Sequence, residues 1–222
     1  MGNPRHYSLE LPDRCLALLD ELWPAVADGR SGRGYGGPLT TTFLLSLATP
    51  MIVLPVERLL KQTGDEGFAD DRLIDPDLAA RAQRIFAEGV RFRDCDFFDD
   101  ADGWRYHYHG QRLNLANGLP DEIVASLATE DAAQAAATVG AQTMVKALRN
   151  GLAHGVIAYL GADGRSTYRE HAEMIALMGE HRVDRKFVGL HVIRIPEAGL
   201  RAFLHRWVDW LNRTGLSRAL AA

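Results

Sequence analysis

Cysteine is scarce in this chain: Cys15 and Cys95 are its only two, and they lack the paired spacing of a metal-binding or disulfide framework. That excludes a zinc-knit or disulfide-knit scaffold and suits a reducing compartment. A long uninterrupted apolar run is also missing. The longest, Phe43 to Val56, has fourteen residues, contains Pro50 and Pro55, and falls short of the roughly 20 needed to cross a bilayer. A buried core segment is expected there, with no membrane partner. Met1 to Leu11 mixes Pro4, Arg5, His6 and Glu10 and has no signal-peptide core, so a cytoplasmic location is expected. Nor is there an excess of positive charge: the net charge is −4 and the pI about 6.1. A protein that coats nucleic acid by bulk electrostatics is thereby excluded, and any such contact must be local.

What is present fits one globular unit over residues 1–222, with 47% hydrophobic and 24% charged residues and no internal repeat. Leu9, Leu16, Leu19, Leu22, Trp23 and Val26 recur at mostly helical spacing, predicting an amphipathic helix over 8–27 that bends or breaks near Pro24. The glycine-rich stretch 29–38 that follows carries Arg30 and Arg33. It reads as a flexible loop or a phosphate cradle, but without a preceding strand or a Gly-Lys-Ser/Thr ending it is no P-loop. A second helix is predicted over Thr40 to Lys61, with a kink or break at its prolines, and a third opens at Asp75-Pro76-Asp77 and runs to Phe86.

Between Val90 and His109 the pattern alternates around the turn-rich Asp99 to Gly103, predicting a small β-hairpin with a solvated acidic tip. Asp121 to Leu127 reads as a short helix, and the alanine-rich Asp131 to Ala158 as the longest continuous one. A further β element is expected within 158–195, built from a hairpin around Gly161 to Gly164 and a strand at Phe187 to Ile195; helical character of His171 to Gly179 is left open. Pro196 begins a last helix with a strong apolar stripe from Leu200 to Leu211.

The chemistry-bearing residues lie near the end of the alanine-rich segment. In Val145-Lys146-Ala147-Leu148-Arg149-Asn150-Gly151-Leu152-Ala153-His154-Gly155, polar side chains interrupt an apolar helix, where they are costly unless used. Asn150 and His154 are four apart and share one face, so Asn150 is expected to orient the imidazole. Arg149 lies beside that face and can reach a phosphate held before His154. A proton-transfer group beside a phosphate clamp is a minimal ribonuclease site. Gly151 and Gly155 each weaken the helix by about 1 kcal/mol relative to alanine, which marks a close approach or the helix end.

Arg149 to His154 matches the Arg-x4-His signature of the HEPN superfamily, with a polar residue directly after the arginine. With Tyr159-Leu160 downstream and Phe43 to Arg58 upstream, the chain resembles HEPN-family nucleases of bacterial plasmids and defence islands over roughly residues 40–213, the segment around 90–110 excepted. The resemblance implies a mainly α fold, a HEPN-like helical bundle with small β-hairpin insertions near 90–109 and 158–195. It implies a homodimer whose two motif helices build a composite active site. It also implies metal-independent RNA cleavage without a cofactor: the 2′-hydroxyl attacks the adjacent phosphate, leaving a 2′,3′-cyclic phosphate and a 5′-hydroxyl end.

In that reading Arg149, Asn150 and His154 are catalytic. His154 transfers a proton, Arg149 stabilises phosphorane-like charge, and Asn150 fixes the ring. Lys146 and Arg149 bind RNA, and Arg30, Arg33, Arg165 and Arg169 guide it if they fold nearby. An antitoxin or other regulatory protein is a further expected partner. Some relatives paired with nucleotidyltransferase antitoxins carry a modifiable tyrosine two residues after the histidine. Val156 stands there in this chain, and Tyr159 is no equivalent.

Two alternatives belong to other classes. One is a non-catalytic HEPN module that binds RNA or a protein. The other is a metal-dependent hydrolase built on His107 and His109, two apart on one strand face, with carboxylates from Asp94 to Asp102.

Overall fold

The computed structural model describes residues 7–32, 34–63, 87 and 89–215. Helices α1 (Tyr7–Ala27) and α2 (Thr40–Thr63) run through Pro12 and Pro24 and through Pro50 and Pro55 without a break, so of the expected bend or break the break does not occur. The reason is visible at Pro55, whose missing N–H leaves the Met51 carbonyl without its helical partner. The Trp207 indole N–H donates to that carbonyl at 2.9 Å instead. Thr40–Leu59 is the one described stretch long and apolar enough, by length and composition, to cross a membrane. Its Leu44, Ala48, Met51, Ile52, Val56 and Leu59 are buried against protein. The helix predicted from Asp75 to Phe86 lies outside the described residues.

The hairpin expected over 90–109 is replaced by two short 3₁₀ turns, Phe92–Asp94 and Asp100–Asp102, and a single strand, β1 (Arg105–His109). Nor is the acidic turn wholly solvated. Asp102 is buried, ion-paired with Arg206, and accepts from the Trp104 indole at 3.1 Å. Beyond it, α3 (Asp121–Leu127) forms where predicted.

The long alanine-rich helix is in fact two, α4 (Glu130–Thr138) and α5 (Ala141–His154), followed by strand β2 (Ile157–Leu160). The break at Val139-Gly140 is filled by a distant segment. Phe92 N–H donates to the Val139 carbonyl at 2.8 Å and Ala141 N–H to the Val90 carbonyl at 2.9 Å, so backbone groups freed by ending one helix and starting another are satisfied. At the other end α5 stops in a left-handed Gly155, φ 65°, with Val156 N–H returning to the Gly151 carbonyl at 3.0 Å.

Strands β3 (Met174–Val183) and β4 (Lys186–Pro196) form a long hairpin that leads into α6 (Glu197–Arg213). The four strands make one antiparallel sheet in the order β1-β4-β3-β2. The expected mainly helical bundle is therefore corrected to an α/β fold. The two regions read as separate β insertions supply one sheet, because β1 pairs with β4 across eighty-odd residues of chain.

One sheet face, with Ile175, Leu177, Ile193 and Ile195, shares a core with α1, α2, α5 and α6. The other, with Ala176, Met178, Leu190 and Val192, is covered by Leu119, Ile123, Val124 and Leu127 in and before α3. Where α5 crosses β3, glycine permits close approach. A Cβ on Gly179 would come 2.9 Å from the Ala147 Cα, and one on Gly151 would come 3.1 Å from the Met178 nitrogen.

Candidate active site

Along β3, β2 pairs with Met174 to Leu177, so the outer half of β3 runs on beyond it, with Gly179 against Ala147 of α5. There Arg149, Asn150 and His154 of α5 open onto one cavity of about 710 Å³ together with Arg112, Glu180 and Arg182. The sequence-predicted catalytic residues are thus brought together, on a helix end held by the Gly155 stop and by the 3.0 Å bond from Met178 N–H to the Val156 carbonyl. Among the described residues the rest of the lining is apolar: Leu113, Leu115, Val156, Met178 and Leu190.

Arg149 is half-buried and ion-paired with Glu57 on α2, and its Nη1 donates to the Asn150 side-chain oxygen at 2.6 Å. Burial lowers the Arg149 pKa, but a guanidinium starts so high that it keeps its charge at neutral pH. Its Nε is buried without a hydrogen-bond partner, a donor unspent within the protein. Asn150 therefore serves the arginine, and among the described residues no hydrogen bond joins it to His154; the expected orientation of the imidazole by Asn150 is not present. His154 is exposed.

Arg112 and Arg182 converge on one carboxylate. Glu180 accepts from Arg112 at 3.5 Å and from the Arg182 Nε at 2.6 Å. Arg112 also lies over the Phe187 ring at 4.6 Å, and Arg182 donates to the Arg185 carbonyl at 3.2 Å. Among the described residues three arginines and one glutamate line the cavity, a local positive excess on an acidic protein.

Lys146 is exposed on α5, three and four residues before Arg149 and Asn150, outside the cavity lining. Arg30 pairs with Asp28, and Arg165 with Asp121 and Asp163. Arg169 lies against Gly36 and lines a separate cavity of about 230 Å³ with Tyr35 and Tyr159. The glycine-rich loop is thus packed against backbone, and of its arginines Arg33 lies outside the described residues.

His107 and His109 sit with ring centroids 6.1 Å apart, and burial with the His109 charge lowers the His107 pKa. Among the described residues no three His, Cys, Asp or Glu side chains converge as metal ligands. Of the nearby carboxylates in sequence, Asp94 accepts from the Arg91 backbone, Asp99 from Ala101 and Asp102 from Arg206 and Trp104. Burial and then Asp94 and Asp96 push the Cys95 thiol up to about 12, which disfavours the thiolate.

Sequence reasoning missed Glu57, Arg112, Glu180 and Arg182. Glu57 stands in the upstream helix quoted for the family resemblance, but nothing local reveals that this helix packs on α5. Arg182 and Glu180 alternate on β3, a signal available only once that segment is known to be a strand. No family model, curated protein or solved structure matches the chain.

Proposed function

We propose that this protein is a metal-independent endoribonuclease of HEPN type, acting through Arg149, Asn150 and His154 in a bacterial defence or toxin–antitoxin setting. The observation that carries the reading is the shared cavity, where the motif residues meet two further arginines around an apolar floor. In the reaction the 2′-oxygen forms a bond to the adjacent phosphorus and loses its proton, while the bond to the 5′-oxygen breaks and that oxygen gains one. His154, exposed and able to exchange with water, carries one of these transfers, a role typically worth about 10²- to 10⁴-fold. Arg149, which lines the cavity and keeps its charge, faces the charge growing on the phosphate. Asn150 holds the guanidinium in place. A second copy facing the exposed end of α5 supplies the other proton-transfer group, which makes the homodimer the working unit.

One observation favours a second reading, a non-catalytic module that binds RNA or a protein: the Asn150 side-chain oxygen accepts from Arg149, and among the described residues the His154 side chain makes no hydrogen bond. Incubation of single-stranded and structured RNA with the wild type, Arg149→Ala and His154→Ala, with chelator present, separates the two. Cyclic-phosphate and 5′-hydroxyl ends from wild type alone support the nuclease. Bound but intact RNA supports the module.

A further inference from the structure

We infer that the cavity beside Arg149 and His154 seats one unpaired nucleobase of the RNA strand, and that this seat selects flexible single-stranded RNA over duplex. The inference rests on the ribonuclease reading and names the substrate feature that the same site recognises. Its volume of about 710 Å³ lies inside the range of roughly 300–1,000 Å³ typical of pockets that enclose a small organic ligand. A phosphate alone has no use for such a space.

The chemistry of the walls points to a base. Leu113, Leu115, Met178 and Leu190 give an apolar floor, which suits a flat heteroaromatic ring more than a charged or heavily hydrated group. At the rim the Arg112 guanidinium lies over Phe187 at 4.6 Å and is tied to Glu180 at 3.5 Å. A guanidinium plane fixed in this way offers its other face for stacking, the means by which proteins commonly hold splayed bases. Glu180 presents carboxylate oxygens that accept from amino or imino N–H groups of a base edge. Arg182, on the same strand, and Arg149, at the helix end, are placed to hold the phosphates flanking the seated nucleotide.

A base inside a duplex is stacked and paired on its neighbours and reaches such a seat only after extrusion, at a cost of a few kcal/mol. A base in a loop or free strand enters without that penalty. Single-strand preference thus follows from the pocket itself, although the protein as a whole repels polyanions with its net charge of −4.

The test uses a short single-stranded 2′-O-methyl RNA, which cannot be cut by 2′-oxygen attack, so binding is read whether or not the protein cleaves. Affinity is measured for the intact strand and for a set in which each position in turn is abasic. One sensitive position is expected, where loss of the base weakens binding by roughly tenfold, the scale of a single base stacked on a side chain. Leu115→Trp, which fills the cavity, and Arg112→Ala, which removes an exposed stacking plane, are both expected to flatten that profile. The second needs no rearrangement of the core. A flat profile in the wild type overturns the base seat and leaves the nuclease to be judged by cleavage. An unchanged profile in both variants places the sensitive base elsewhere and equally overturns it, and no binding of any strand overturns it as well.

Discussion

The Trp207 indole N–H and the Met51 carbonyl meet at 2.9 Å where Pro55 has withdrawn the helical donor. This bond lets α2 continue past its second proline and carry Glu57 to Arg149. Trp207→Phe strands a buried carbonyl and is expected to lower stability by about 1–3 kcal/mol, before any loss of packing is added. Urea unfolding reads this. An unchanged midpoint would show that α2 tolerates the proline by other means.

The approach of α5 to β3 is set by Gly179 against Ala147. Gly179→Ala drives a methyl into helix backbone and is expected to cost about 1–3 kcal/mol, as overpacking of a filled interior does. At Gly151 the close contact is opposed by a gain in helix propensity of about 1 kcal/mol, so Gly151→Ala is expected to cost less. Thermal melts of the two variants give the order directly, and the reverse order would place the tighter contact at Gly151.

Glu57 and Arg149 are both partly shielded, with side-chain exposures of 32% and 24%. A double-mutant cycle with Glu57→Ala and Arg149→Ala is expected to give a coupling of about 1 kcal/mol, above the usual surface pair and below a fully buried one. In the proposed nuclease Glu57 is a positioning residue. Glu57→Gln is accordingly expected to reduce kcat while KM changes little, because the guanidinium remains present but less firmly aimed. A change confined to KM would instead make Glu57 part of the RNA-binding surface.

On the sheet, His191 accepts or donates through Nδ1 with the Tyr106 hydroxyl at 2.7 Å, and its ring lies near those of Tyr108 and His181. Burial, and then the charge of His181, hold its pKa down to about 4. The unfolded chain protonates this histidine near the ordinary value of about 6.5. Between those two pH values the unfolded state therefore binds the extra proton, and stability falls as pH is lowered from about 6.5 towards 4. The urea midpoint is expected to drop across that window in the wild type and to drop less in His191→Gln. Equal slopes would assign the acid sensitivity to other groups.

The sequence made the polar constellation and several helices legible because both depend on neighbours three and four residues apart. Arg149, Asn150 and His154 came together on the strength of spacing alone, and α6 announced itself by its apolar stripe. The sheet was harder to see. Ile175 to Gly179 are buried on both faces of β3, so the alternation that marks a half-exposed strand is absent, and the Ala, Leu and Met among them favour helix in isolation.

Long-range backbone pairing accounts for the other differences. The break between α4 and α5 depends on Val90 and Phe92, which lie some fifty residues away, and β1 finds its partner in β4 rather than in the neighbouring 90–93 segment. Local propensity carries neither fact. The same is true of the site: Arg112, Glu180 and Arg182 join the motif only through the tertiary fold, so the helix by itself accounts for half of the polar residues described in the cavity lining.

The participation of the RNA 2′-hydroxyl at this cavity is tested most directly by mapping one cleavage position and removing that single hydroxyl from an otherwise unchanged RNA. Loss of cleavage at the mapped position, with binding retained and with cleavage of the parent RNA abolished in His154→Ala, is the expected result. Continued cleavage at the deoxy position would contradict attack by the 2′-oxygen and with it the assignment of Arg149, Asn150 and His154 to that chemistry.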